Sequence, residues 1–235
     1  MRCQMRQMLK GSVVVIGLSL LNTGVLAQDN LLITGKATAI DPRSSQKVDV
    51  QIFGRTSVQN EFNVIRFFFT YTCEYGQKYD AEMGTWAKTL PPKFKYVRVP
   101  VITQEPHSTV GAFAYYAAYQ TDKNKINSFQ QHAFNLIKTL GNDPSDQWTY
   151  YEAAKRAGLN LTTFKKHWGT QRTVLLVKNA VILGAKYKVD YTPTLTVGGI
   201  YTLNPEPIAE SKTSFIDFAN AITSKYIAEN GVAIR

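Results

Sequence analysis

Ile65-Arg66-Phe67-Phe68-Phe69-Thr70-Tyr71-Thr72-Cys73-Glu74-Tyr75-Gly76 is the stretch that decides the fold. Its apolar, aromatic and β-branched run predicts a buried strand, which ends on a cysteine followed by residues compatible with a helix. Cys73 therefore falls at a strand-to-helix junction, at or near a helix N-terminus. Unpaired N–H groups and the helix dipole stabilise an anion there, in this case a thiolate. Cys-x-x-Cys at these four positions would be a redox motif, but the fourth residue is Gly76.

Outward from this stretch, Lys47-Val48-Asp49-Val50-Gln51-Ile52-Phe53 alternates polar and apolar residues and predicts an edge strand with one buried face. After Gly76 a helix is expected through Met83, Trp86 and Leu90, stopped by Pro91-Pro92. Residues 94–101 return to strand periodicity. Strand, helix and strand at this spacing make a βαβ unit with parallel pairing.

From Ser108 to about Lys188 the periodicity is helical throughout. Val110, Phe113, Ala114, Ala117 and Ala118 form one stripe; Ile126, Phe129, Phe134, Ile137 and Leu140 form a second, ended by Gly141 and Pro144. Trp148, Tyr151 and Ala154 belong to a third segment, Phe164 and Trp168 to a short fourth, and Val174, Val177 and Val181 to a fifth. Tyr115, Tyr116 and Tyr119 are assigned to helix packing rather than to a binding surface. These helices are expected to pack as a subdomain of their own.

The period then changes again. Residues 192–197 predict a short strand entered through Pro193, Gly198-Gly199 a tight turn, and residues 200–203 the return strand. A last helix is expected from near Ser211, with Phe215, Phe218, Ala219, Ile222 and Tyr226 on one face and Gly231 past its end.

Residues 1–27 have the make-up of an export signal. Arg2, Arg6 and Lys10 form a basic start, residues 12–21 an apolar core, and Val25-Leu26-Ala27 a cleavage site. Removing these 27 residues from 235 leaves 208, and losing their three basic residues lowers the net charge from +10 to +7. Of the two cysteines, Cys3 departs with the leader, so an internal structural disulfide is excluded. Basic residues are dispersed rather than clustered, which argues against a nucleic-acid partner.

With these pieces in hand, the chain resembles the DsbA family, periplasmic thiol:disulfide interchange proteins with a thioredoxin fold and an inserted helical domain. The resemblance is carried by the Phe-Phe approach to Cys73, by Trp86…Leu90-Pro91 followed by Arg98-Val99-Pro100-Val101, and by Ala114-Tyr115-Tyr116-Ala117. Tyr191-Thr192-Pro193-Thr194-Leu195-Thr196-Val197-Gly198-Gly199 completes it. The fold it implies is α/β, thioredoxin-like with an inserted all-helical subdomain. Residues 28–107 and 188–235 would form the thioredoxin-like domain, and residues 108–187 the insertion.

By resemblance, Cys73 matches the nucleophilic cysteine and Glu74, Tyr75 and Gly76 complete the active-site motif. Pro193 matches the cis-proline facing it, with Thr192 as the preceding residue. An X–Pro bond adopts cis at a cost of only about 0.5–1 kcal/mol. Backbone groups of Thr192 would then pair with an extended peptide laid beside the cysteine.

Three departures from the family pattern matter. Gly76 replaces the resolving cysteine, so no internal disulfide can serve as oxidant. Glu74 puts a carboxylate beside the thiol, opposing the helix terminus, which offers about 0.3–1 kcal/mol. Phe67 stands where many members carry a buried acid, which implies that this route for proton handling has been given up.

Three readings follow. In the first, Cys73 exchanges disulfides with cysteine-containing exported proteins or peptides, and a small thiol or a membrane redox partner releases the mixed disulfide. In the second, the chain is a redox-silent peptide-binding chaperone or assembly protein. In the third, Cys73 links two copies. The first requires the sulfur to be within a client's reach and the proline loop to lie beside it. No cofactor and no metal is expected, since His107, His132 and His167 lack ligand spacing. After cleavage of the leader no stable membrane insertion is expected.

Overall fold

The computed structural model describes residues 37–40 and 47–50 as backbone only, and residues 54–204 and 214–231 with their side chains. The leader expected over residues 1–27 lies outside the described residues. Among the described residues there are two sheets. The smaller pairs β1 (Ala37–Ile40) antiparallel with β2 (Lys47–Val50). The segment expected as an edge strand over residues 47–53 thus enters this separate ribbon; residues 51–53 lie outside the described residues.

The main sheet has five strands: β3 (Gly54–Arg55), β4 (Val64–Phe69), β5 (Lys95–Pro100), β6 (Thr194–Val197) and β7 (Tyr201–Leu203). Their order is β3-β7-β6-β4-β5, with β4 parallel to β5 and antiparallel to β6. The aromatic run is why β4 sits inside. Phe67, Phe68 and Phe69 are all buried, and a strand apolar on both faces needs cover on both. Between β6 and β7, Gly198 and Gly199 take φ of 62° and 71°. A Cβ on Gly198 would overlap the Tyr226 ring, and one on Gly199 the Val58 carbonyl. The turn needs glycine on both counts, left-handed backbone and close approach.

Helix α1 (Glu74–Trp86) links β4 to β5 and completes the expected βαβ unit. It ends four residues earlier than the periodicity predicts. Residues 87–89 tighten into a 3₁₀ turn and Leu90 is extended, with φ −66° and ψ 148°. The following proline accounts for this, because its ring excludes the α region for the residue before it. Helix α7 (Phe215–Asn230) packs beside α1, with Tyr79 against Phe215 at 4.8 Å and Trp86 Nε1 donating to Asn220 Oδ1 at 2.6 Å. Ser214 and Asp217 form a capping box at its start, and Gly231 closes it in the left-handed region.

The insertion consists of α2 (Pro106–Thr121), α3 (Ile126–Phe134), α4 (Gln147–Arg156), α5 (Leu161–Trp168) and α6 (Gln171–Lys186). Ala114, Ala117 and Ala118 of α2 are buried as expected, together with Tyr115 and Tyr116, while Tyr119 is exposed. Three expected core positions are not core: Leu140, Trp148 and Val181 are exposed. In α4 Ala154 is buried as expected, but with Tyr150 and Ala153 beside it, and in α6 Val177 is buried as expected, with Thr173 and Ala180. Large apolar side chains misled the phase of the stripe, because small residues permit the closer helix contacts. An aromatic cluster joins insertion to sheet. Phe69 meets Tyr115 at 5.4 Å, and Tyr71 meets Phe134 at 5.0 Å and Tyr150 at 5.3 Å.

Candidate active site

β4 ends at Phe69, and Thr70, Tyr71 and Thr72 turn the chain into α1. Cys73 occupies the N-cap position with extended backbone, φ −82° and ψ 126°. Its N–H bonds the Thr70 carbonyl at 3.3 Å, and its own carbonyl accepts from Gln77 N at 3.3 Å. The N-cap side chain makes no capping bond to the helix. Instead the thiol donates to the Thr192 carbonyl at 2.9 Å.

The Thr192–Pro193 peptide is cis. Thr192 Oγ1 lies 3.1 Å from Thr70 Oγ1, so the proline loop is tied to the β4 turn on either side of the sulfur. Cys73 and Thr192 are thus brought into contact, with Gly76 in the first turn of α1 and Pro193 next to Thr192. Accessibility differs from expectation: Cys73 is 0% exposed, as buried as the core phenylalanines. The thiol contacts the loop but does not face solvent in this conformation. Beside the loop, a cleft of about 740 Å³ opens between Tyr191 and Thr194 and runs past Asn204 to Arg55, Lys186 and Lys188.

Gly76 is buried in the first turn of α1. A Cβ there would sit 3.1 Å from the Thr70 carbonyl and 3.3 Å from the Phe134 ring. The insertion therefore occupies the space next to Gly76. Glu74 points outward and is exposed. Phe67, the residue in place of an acid, is fully buried and faces Tyr96 at 6.5 Å.

A buried acid exists nevertheless, on α1 rather than β4. Asp80 is 0% exposed, and Arg98 of β5 clamps it with Nε–Oδ1 at 2.7 Å and Nη2–Oδ2 at 3.3 Å. Gln130 of α3 donates to Asp80 at 3.4 Å, and Tyr71 donates to the Gln130 side-chain carbonyl. Arg98 also reaches Asn127 Oδ1 at 2.7 Å. Burial pushes the Asp80 carboxyl up, with Arg98 opposing it; burial also acts against the Arg98 charge, but Asp80, with Tyr96 and Tyr115, more than offsets this and raises the guanidinium. The sequence does carry a signal for Asp80, since it falls on the buried stripe with Tyr79 and Met83.

Another contact had no such signal. After α3 the chain makes a π turn (Asn135–Thr139). Lys138 Nζ then donates to the Thr72 carbonyl at 3.1 Å, and Gln77 Nε2 to Thr139 Oγ1 at 3.4 Å. Among the described residues no cluster of His, Cys, Asp and Glu suits a metal ion, and no helix is long and apolar enough to cross a membrane.

No family model matches the chain, and no curated protein sequence matches it. Solved structures do. A crystal structure of a DsbA variant from Pseudomonas aeruginosa superposes with a TM-score of 0.65 at 14% identity, covering 77% of this chain and 96% of the other. Reduced DsbA1 from Neisseria meningitidis gives 0.62 at 14%, covering 78% and 94%. The disulfide oxidoreductase DsbA from Proteus mirabilis gives 0.58 at 15%, covering 76% and 93%. The chain has a DsbA-like fold, thioredoxin-like with a helical insertion.

Proposed function

We propose that this chain is a DsbA-like thiol:disulfide interchange protein, exported to the periplasm, that works through the single thiol of Cys73. The observation that carries the reading is the contact between the Cys73 sulfur, at the start of α1, and the Thr192 carbonyl of the cis peptide. Nucleophile and peptide-docking loop are already in register. The bond from sulfur to carbonyl lasts only while the sulfur keeps its proton. Once the loop moves aside and admits solvent, loss of the proton to water breaks it, and the thiolate is then favoured by the helix N-terminus.

The thiolate attacks one sulfur of a client disulfide. A Cys73–client disulfide forms, the client's own S–S bond breaks, and the departing thiolate takes up a proton. With glycine at position 76 the release step has no thiol within the protein. A second thiolate, from the substrate itself, a small thiol or a redox partner, must attack the client sulfur of the mixed disulfide, which frees Cys73 as a thiolate. The cycle exchanges disulfides and makes no net oxidation. Clients would be cysteine-containing exported polypeptides, with an extended segment laid along the Thr192 loop and into the cleft beside it.

The complete burial of Cys73 favours a second reading, a redox-silent protein that keeps only the peptide-binding role. A Cys73-linked dimer needs the same sulfur at the surface, so its burial counts against that alternative. The two readings part on one experiment: native protein is mixed with a peptide carrying an activated disulfide, and adducts are mapped by mass spectrometry. Exchange predicts an adduct on Cys73 that is released by a small thiol. If only unfolded protein forms it, the exchange reading is lost and the silent one stands.

A further inference from the structure

We infer that Lys138, on the inserted helical domain, is a positioning residue for the Cys73 site: its ammonium pins the turn that carries the sulfur and holds a positive charge beside it. The inference rests on the reading of Cys73 as the working thiol. It starts from the backbone. α3 runs into a π turn, with Leu140 N bonding the Asn135 carbonyl at 3.0 Å. π turns inside helices are rare and concentrate at functional sites, since the extra residue re-aims the side chains that follow.

Here the end of α3 and the π turn that follows it converge on six consecutive residues. Phe134 abuts Gly76, Lys138 bonds the Thr72 carbonyl, and Thr139 accepts from Gln77. Cys73 lies inside that frame. The insertion thus grips both sides of the sulfur-bearing turn, and the grip includes a cation one residue from the thiol. Lys138 is only half-buried, so solvent does not fully screen it from the turn.

The charged surroundings leave this cation with a specific task. The β4 turn contributes Thr70 and Thr72, and the proline loop Thr192, all uncharged. The acidic residues nearest in sequence are Glu74 on α1 and Asp190 before the loop, both exposed. A carboxylate disfavours a thiolate, so Lys138 adds to the helix N-terminus in favouring one.

The test is the rate of Cys73 alkylation by iodoacetamide, measured against pH in the folded protein. Lys138→Met keeps the aliphatic stem and removes the charge. Its midpoint should move to higher pH, and its rate at neutral pH should fall about three- to tenfold, as expected for loss of a half-exposed charge nearby. Lys138→Arg should restore both. A mere strut would change the rate equally at all pH values and leave the midpoint where it was. An unmoved midpoint in Lys138→Met overturns the inference alone. A native wild-type protein whose Cys73 never reacts overturns the exchange reading, and this inference with it.

Discussion

Gly76 is hemmed in by its neighbours. A cysteine there would put its Cβ 3.3 Å from the Phe134 ring and 3.1 Å from the Thr70 carbonyl. Either the ring or the new side chain must leave its preferred position, at a cost of about 0.5–1.5 kcal/mol if a torsion is forced off its rotamer. That corresponds to about a two- to tenfold loss in the oxidation equilibrium. Gly76→Cys should therefore close a disulfide to Cys73 only incompletely in a glutathione buffer, and adding Phe134→Leu should raise the ratio of bridged to free forms by that factor. Free-thiol counting by mass spectrometry reads it directly. Equal bridging in the single and double variants would show that Phe134 is no obstacle.

At the scale of elements, the buried Asp80–Arg98 pair joins α1 to β5, and through Gln130 and Asn127 joins both to α3. A buried ion pair adds little by itself, because desolvation offsets the attraction, but removing one member strands the other. Asp80→Ala leaves the Arg98 guanidinium buried without its carboxylate and should cost about 3–5 kcal/mol. Urea unfolding with an unchanged slope would measure it. A loss below about 1 kcal/mol, the range of exposed pairs, would mean that solvent reaches Arg98. This network also marks the limit of what the sequence discloses. β4, α1, β5 and the Gly198–Gly199 turn are legible because period, proline and glycine act locally. The meeting of Cys73 with Thr192 was legible through the family resemblance, not through spacing. The sulfur's burial and the Lys138 contact were not legible. Both depend on how the insertion docks, across 66 residues for Thr72 and Lys138, and a π turn leaves no periodic trace. Trp148 and Val181 show the same limit from another side: apolarity named them core, while small residues set the helix faces.

Across the whole molecule, the insertion and sheet are fused through aromatic rings, and this makes tyrosine ionisation a probe of the fold. Burial raises Tyr71, Tyr96, Tyr115, Tyr116, Tyr150 and Tyr187 above the usual phenol range. Burial, then the hydrogen bond and charge of Glu229, push Tyr201 up to about 12. These are seven of the 13 tyrosines. In each the folded state resists forming a phenolate that the unfolded chain forms near pH 10. Below that pH both states hold the proton and nothing is lost. From about pH 10 upward only the unfolded chain ionises, so stability falls with rising pH until the folded-state values are passed. Phenolate absorbance from these seven should therefore rise only above pH 10, together with loss of helical circular dichroism. Ionisation of the seven around pH 10, with the helical signal unchanged, would mean that their rings are open to water.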